Sequence, residues 1–139
     1  MRGKYVVYIE DNGNDHLLMK RIFDKELNGC ELRHIADGEI ALDILTSSEY
    51  RNILPSLILL DIKLPKRNGL EVLREIRANK QFNNIPVVMF SSSDIPDEIN
   101  KAYALGANSF VEKPKNYPEF RRLLPVMVKF WLKFNTKLA

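Results

Sequence analysis

Five short runs rich in apolar residues constrain the fold of this chain more than any other feature of its sequence. Most of them are continuous, which means that apolar residues do not alternate with polar ones. Such runs are typical of strands that helices cover on both faces of a parallel sheet. They lie at residues 5–9, 31–36, 57–60, 86–90 and 109–111.

Helical patterns follow these runs, so that strands and helices alternate along the chain. Apolar residues recur at helical spacing in residues 15–27, 40–45, 70–77 and 96–105, and again from residue 117 onward. Gly106 follows the fourth pattern, as expected at the C-terminus of a helix. The alternation predicts an α/β fold of the flavodoxin-like (βα)5 type, a doubly wound parallel sheet with strand order 2-1-3-4-5.

The composition fits one globular domain, because 45% of the 139 residues are hydrophobic and no repeat or linker interrupts them. We therefore assign residues 1–139 to a single domain. No apolar stretch approaches the roughly 20 residues that a membrane-spanning helix needs. The N-terminus does not have the design of a signal peptide, which favours a cytoplasmic location.

Cysteine, histidine and the charge balance argue against several classes of function. Cys30 is the only cysteine, so an internal disulfide is excluded and a reducing compartment is indicated. His16 and His34 lie far apart with no second ligand near either of them, which argues against a zinc site. The net charge of +3 comes from scattered lysines and arginines, which is too mild to indicate nucleic-acid binding.

Carboxylates follow two of the predicted strands at the points where those strands end. Glu10 and Asp11 come directly after the first strand, and Asp61 follows the third. In the predicted strand order the first and third strands are neighbours, and ligands bind at their carboxyl ends. Three carboxylates that meet there would repel each other unless a cation joined them, and hard oxygen ligands suit Mg²⁺. The sequence therefore predicts a magnesium site.

Two further strand ends supply the remaining groups that a phosphoryl group needs. Ser91 ends the fourth strand with a hydroxyl, and Lys113 follows the fifth with an ammonium group. A metal ion and a lysine neutralise phosphoryl oxygens, and a hydroxyl donates a hydrogen bond to one of them. Asp61 is then the expected nucleophile, because carboxylates form aspartyl-phosphate intermediates.

The arrangement of these residues resembles the receiver domain of bacterial response regulators, the phospho-accepting part of two-component signalling. The resemblance covers nearly the whole chain and rests on motifs in the expected order and spacing. These motifs are Glu10-Asp11, Asp61 with Leu64-Pro65 and Asn68-Gly69, Ser91, Phe110, and Lys113-Pro114.

The resemblance implies a role for each residue of the acidic site. Asp61 would accept phosphate from a histidine kinase. Asp11, Asp61 and the backbone carbonyl of Lys63 would bind Mg²⁺, and Glu10 would assist through metal-bound water. Lys113 would contact the phosphoryl group. Such a domain is a signalling phospho-acceptor rather than an enzyme, and it catalyses only its own phosphorylation and dephosphorylation.

The resemblance also implies a switch and a special peptide bond. Ser91 would move toward the phosphoryl oxygen while the ring of Phe110 turns inward. The bond between Lys113 and Pro114 would be cis. From position alone we expect Lys63 and Ser93, each two residues beyond a site residue, to flank the attacking water and set the lifetime of the phosphate.

The last helix, predicted at about 117–135 from the N-x-x-E pattern at Asn116, carries two apolar stripes. Pro125 is expected to kink or interrupt this helix. One stripe can cover the sheet, and we expect the second to be a partner or dimer surface. The first stripe comprises Tyr117, Phe120, Leu124, Met127 and Trp131, and the second comprises Leu123, Val126, Phe130 and Phe134.

No output domain follows the last helix in the sequence, so the resemblance implies a single-domain regulator that binds a partner when phosphorylated. The "KFWL" ending and the "LPKRNGLEVL" segment resemble the regulators that work with bacterial phytochrome kinases, many of which dimerise. Phosphorylation would then act by a population shift of the surface formed by helix four, strand five and helix five.

Four other functions stay open at this point. A Mg²⁺-dependent phosphatase or phosphotransferase could use Asp61, although Lys63 stands where such enzymes place a second acid. A nucleotide or flavin binder could use the same fold, but no glycine-rich loop follows the first strand. A scaffold that is never phosphorylated is a third reading. DNA binding by Lys129, Lys133 and Lys137 is a fourth reading. We expect instead that these lysines form a solvent-exposed face of the helix.

Overall fold

A five-stranded parallel sheet organises the computed structural model, which describes residues 3–47 and 54–137. The strand order is β2-β1-β3-β4-β5, and every neighbouring pair is parallel, which confirms the predicted topology. The strands are β1 (Lys4–Ile9), β2 (Cys30–Ile35), β3 (Leu57–Leu60), β4 (Val87–Ser91) and β5 (Ser109–Glu112).

Five α-helices connect and follow these strands. They are α1 (Gly13–Glu26), α2 (Gly38–Leu45), α3 (Gly69–Ala78), α4 (Pro96–Ala104) and α5 (Tyr117–Lys129). A one-turn 3₁₀-helix at Lys80–Phe82 precedes β4, and a π-helical turn at Phe130–Phe134 continues α5. The helix α1 begins two residues earlier than expected because the side chain of Asn12 accepts the backbone N–H groups of Asn14 and Asp15.

Two apolar clusters lie on opposite faces of the sheet, which explains why its strands are continuously apolar. Val7 and Ile9 of β1 point to the cluster beneath α2, α3 and α4. Val6 and Tyr8 point to the cluster beneath α1 and α5. Because successive side chains of a strand alternate between faces, both sets must be apolar.

Helix α5 buries its first predicted stripe and exposes most of its second. Phe120, Leu124 and Met127 are buried, whereas Val126 is 65% and Phe134 is 71% exposed. In the first stripe Tyr117 is 45% exposed, so that stripe covers the sheet less completely than expected. In the second stripe Leu123 is half-buried and Phe130 is 46% exposed.

Pro125 does not interrupt the helix, since α5 runs continuously from Tyr117 to Lys129 and the wider π-helical turn begins five residues after the proline. The proline has no N–H to donate to the carbonyl of Arg121, which is an exposed residue. The end of the helical segment is tied back to the sheet, since Lys4 Nζ donates to the carbonyl oxygen of Leu132 at 2.6 Å.

In residues 3–47 and 54–137, no helix is both long and apolar enough to cross a membrane.

Candidate functional site

The carboxyl ends of β1, β3 and β5 enclose an acidic cleft of about 320 Å³. The register pairs Ile9 with Leu60, so the residues that follow these two strands meet at one edge of the sheet. Five residues predicted from the sequence line this cleft, namely Glu10, Asp11, Asp61, Lys63 and Lys113.

The ammonium group of Lys113 lies among three carboxylates. Its Nζ contacts Glu10 Oε2, and it lies 3.0 Å from Asp15 Oδ2 and 3.2 Å from Asp61 Oδ2. Lys113 is buried, and its backbone N–H donates to the carbonyl oxygen of Ser91, which fixes the start of its side chain beside β4. Burial lowers the pKa of Lys113, but the nearby Tyr8, Asp61 and Glu10 outweigh this effect and raise it, so the lysine stays charged.

Asp61 is buried, and hydrogen bonds to the backbone of Ile9 and Ile62 fix its position. Its N–H donates to the carbonyl oxygen of Ile9 at 3.1 Å, and its Oδ1 accepts the N–H of Ile62 at 2.7 Å. Burial alone would raise the pKa of Asp61. Hydrogen bonding from Glu10, the charge of Lys113 and the hydroxyl of Ser91 nevertheless hold it below its usual range. Asp61 is therefore ionised and can act as a nucleophile.

The pKa of Glu10 is shifted in the opposite direction to that of Asp61. Its Oε1 accepts the backbone N–H of Asn12 at 2.9 Å, and His34 Nε2 lies 2.6 Å from its carbonyl oxygen. Burial, together with hydrogen bonding to Asp61, raises the pKa of Glu10 to about 8 against the opposing charge of Lys113. Without a cation, Glu10 therefore holds a proton more readily than an ordinary glutamate does.

Ser91 and Phe110, the residues expected to switch, lie on adjacent strands. Ser91 is fully buried at the end of β4, and its Oγ accepts the backbone N–H of Ser93 at 3.2 Å. Phe110 is half-buried on β5 and packs against the cluster beneath α4. Its backbone N–H donates to the hydroxyl of Tyr103 at 3.0 Å.

A family model for the response regulator receiver domain matches residues 6–124. The chain belongs to this family. Receivers interact with histidine kinases in two-component signalling, so the protein is a response regulator whose action depends on phosphorylation. The phosphatase, nucleotide-binding and scaffold readings are accordingly not favoured.

Two curated proteins resemble this chain over most of its length. The response regulator Rcp1 of Synechocystis is 33% identical over 135 residues, which cover 96% of this chain and 92% of Rcp1. A probable methanogenesis regulatory protein of Methanothrix harundinacea, FilR2, is 32% identical over 131 residues, covering 94% of this chain and 84% of FilR2.

Solved structures agree with the fold of this receiver. The Mn²⁺-bound form of Rcp1 superimposes with a TM-score of 0.87 at 33% identity, covering 98% of this chain and 99% of that one. The phosphorylated cyanobacterial phytochrome response regulator RcpA gives the same TM-score and the same coverage at 30% identity. The Mn²⁺ of Rcp1 and the family indicate that a divalent cation acts in this site.

The donor atoms of this receiver fit such a cation, although its carboxylates are not arranged as a preformed cage. In the part of the chain that the structure describes, no three histidine, cysteine, aspartate or glutamate side chains are placed to hold a metal ion together. Lys113 lies between Glu10 and Asp61, and its ammonium group forms an ion pair with one oxygen of each carboxylate. Mg²⁺ keeps several waters and needs only one or two carboxylates from a protein, so the cleft suits it.

The expected effect of Ser93 on the lifetime of the phosphate stays a prediction. Ser93 is buried, and its hydroxyl donates to Glu98 Oε1 of α4 at 2.7 Å, whereas Ser92 lines the cleft. One expectation for the loops around this cleft is wrong. The bond between Lys113 and Pro114 is trans, as are all peptide bonds in the described ranges. An X–Pro bond prefers trans by only about 0.5–1 kcal/mol, so both isomers are accessible to such sequences.

Three features of the site escaped the sequence reasoning. Asp15 reaches Lys113 from the first turn of α1, a position that follows from the start of α1 beside the end of β1. Tyr8 lies fully buried with its ring centre 5.9 Å from Lys113 Nζ. His16 and His34, distant in sequence, stack with their ring centres 3.9 Å apart. The pKa of His16 is lowered, mainly by burial and to a smaller extent by the nearby His34.

Proposed function

We propose that Asp61 is the phospho-acceptor and takes a phosphoryl group from a phosphohistidine of a histidine kinase. The contact of Lys113 Nζ with both Glu10 and Asp61 carries this proposal, because it holds a cation beside an ionised nucleophile. An Oδ of Asp61 bonds to phosphorus as the phosphorus–nitrogen bond breaks, and the departing imidazole nitrogen keeps the electron pair.

Lys113 and Ser91 bind and orient the phosphoryl group. Lys113 neutralises one of its oxygens, and the hydroxyl of Ser91, which is buried beside the cleft and accepts the backbone N–H of Ser93, turns to donate its own hydrogen to another. Mg²⁺, held by Asp11, Asp61 and the carbonyl of Lys63 with Glu10 acting through water, would offset the remaining negative charge. On this proposal the receiver catalyses only its own phosphorylation and dephosphorylation.

The direct test is incubation with acetyl phosphate and Mg²⁺ followed by intact mass measurement. We expect the wild type to gain one phosphoryl group and Asp61→Asn to gain none. Asp24→Asn is the matched control, since Asp24 is exposed on α1 and does not line the cleft. Phosphorylation of Asp61→Asn at the wild-type rate would disprove the assignment.

We propose further that phosphorylation acts on a surface formed by α4, β5 and α5, and that two copies meet through α5. Val126 of α5, with Phe130 and Phe134 of the π-helical turn that continues it, forms an exposed apolar face that the sheet does not need. In size exclusion with light scattering, Val126→Glu is expected to weaken a dimer. Leu17→Glu, which changes a comparably exposed residue on α1, should not.

The kinase partner that we propose is of the phytochrome type. The support is the similarity to RcpA, a phytochrome response regulator, over 98% of the chain. Phosphotransfer from a purified phytochrome kinase should be at least tenfold faster than transfer from an unrelated histidine kinase. Equal rates would remove this part of the proposal and leave the role of Asp61 untouched.

A further inference from the structure

The ammonium group of Lys113 has no hydrogen left to offer an incoming ligand. It carries three N–H donors, and three carboxylate oxygens surround it, from Glu10, Asp15 and Asp61. If Lys113 binds a phosphoryl oxygen, it must first release one of these acceptors. The identity of the acceptor that is released therefore affects how readily the site is occupied.

Glu10 and Asp61 are the acceptors that the structure holds most firmly. Each carboxylate accepts a second hydrogen bond from backbone, Glu10 from the N–H of Asn12 and Asp61 from the N–H of Ile62. Their side chains are 2% and 8% exposed, respectively. Releasing either one would leave a buried carboxylate with one hydrogen bond fewer, which is costly.

Asp15 is placed differently. Its side chain is 25% exposed, and in the described ranges Lys113 is the partner of its carboxylate at 3.0 Å. Water can therefore replace the lysine at Asp15 at low cost, because the freed carboxylate is already in contact with solvent.

The local sequence leaves Asp15 free for this contact. Asp15 is the third residue of α1, where an acidic side chain often bonds back to the N–H of the capping residue. Here that N–H, of Asn12, donates instead to Glu10 Oε1. The Asp15 carboxylate is thus not used in capping and reaches across to the cleft.

We infer that Asp15 is a positioning residue that holds Lys113 in the unphosphorylated receiver and competes with the phosphoryl group for it. Phosphorylation exchanges the ion pair with Asp15 for one with a phosphoryl oxygen, while Glu10 keeps Lys113 in place. Asp15 thereby lowers the occupancy of the phosphorylated state. This inference rests on the proposed role of Lys113 in contacting the phosphoryl group.

The test measures binding of beryllofluoride, a phosphoryl mimic, by calorimetry at saturating Mg²⁺. We expect Asp15→Asn to bind it roughly fivefold more tightly than the wild type, as the loss of one partly exposed ion pair allows. Asp24→Asn, which removes the same charge elsewhere on α1, should bind it like the wild type. Unchanged or weaker binding by Asp15→Asn would overturn the inference.

A double-mutant cycle with Lys113→Gln separates competition for the lysine from simple charge repulsion. If Asp15 acts through Lys113, Asp15→Asn has no effect on beryllofluoride affinity in the Lys113→Gln background. An equal gain in both backgrounds would show that Asp15 only repels the anion, and the inference would fail. Failure of the wild type to bind beryllofluoride would instead reject the proposed function itself.

Discussion

The backbone N–H of Phe110 donates to the hydroxyl of Tyr103, 3.0 Å away, and so ties the outer edge of β5 to α4. β5 is an edge strand, and this bond satisfies a donor that no neighbouring strand can reach. We predict that Tyr103→Phe speeds hydrogen exchange of the Phe110 amide by roughly five- to tenfold, the worth of one hydrogen bond. Tyr117→Phe, at a similarly exposed tyrosine on α5, should leave that amide unchanged in the same NMR measurement.

Gly69 begins α3 in direct contact with the phospho-acceptor segment. A Cβ at this position would lie 1.9 Å from the carbonyl oxygen of Asp61 and 2.7 Å from the Cα of Ile62. Since both are backbone atoms, Gly69→Ala must displace the segment that carries Asp61. We predict a loss of about 2 kcal/mol in the free energy of unfolding by urea, together with slower phosphorylation by acetyl phosphate.

Gly13→Ala is the control for this substitution. Nothing lies within 4 Å of a Cβ at Gly13, which is the first residue of α1 just as Gly69 is the first residue of α3. Its free energy of unfolding should change by less than about 0.5 kcal/mol. Equal stability of the two variants would show that the contact at Gly69 is relieved without cost.

Arg77 of α3 joins three segments through its guanidinium group. Its donors reach four oxygens, those of the Phe82, Ile85 and Gly106 carbonyls and of the Asn108 side chain. Arg77→Met should lower the free energy of unfolding by about 3 kcal/mol, because charged hydrogen bonds are lost and half-buried carbonyls lose their donors.

The matched substitution for Arg77→Met is at Arg74, which is exposed on the same helix. Arg74→Met should change the urea midpoint only slightly. A midpoint for Arg77→Met within error of that for Arg74→Met would mean that water replaces all four bonds.

Binding of Mg²⁺ should depend on pH through Glu10. Burial and Asp61 raise the pKa of Glu10 to about 8, so its proton must leave for the carboxylate to assist a cation. Calorimetric Mg²⁺ affinity is therefore predicted to rise from pH 6 to about pH 8 and then level off. In Glu10→Gln the affinity should be lower and nearly constant over this range.

The same proton affects folding of the metal-free protein with the opposite sign. Because the pKa of Glu10 is raised on folding, its contribution to stability is complete below the ordinary pKa of glutamate. It is lost as the pH rises through about 8. A wild-type stability that increases over pH 5–8 relative to Glu10→Gln would contradict the assignment.

The sequence was sufficient to predict the strand order and the carboxylates of the cleft, because both follow from where apolar strands end. Glu10 and Asp61 had to meet once β1 and β3 were neighbours. Lys113 could be placed for the same reason, as the residue that follows β5.

Contacts that depend on how a helix or loop is oriented could not be predicted in this way. The stacking of His16 on His34 requires a particular rotation of α1 over β2. Ser93 turns toward Glu98 rather than the cleft because the path of the β4–α4 loop, and not the spacing from Ser91, decides its direction. The pattern of apolar and polar residues along the sequence determines neither the packing angle of a helix nor the path of a loop.

The bond from Lys4 to the carbonyl oxygen of Leu132 joins the beginning of β1 to the end of the helical segment that follows α5. Both described ends of the chain therefore lie at the amino-terminal pole of the sheet, away from the carboxyl ends where Asp61 lies. A fluorophore or an affinity handle attached at Gly3 or at Lys137 would leave from that pole. Surface immobilisation through such a handle would present the acidic cleft outward, with a free approach for a kinase.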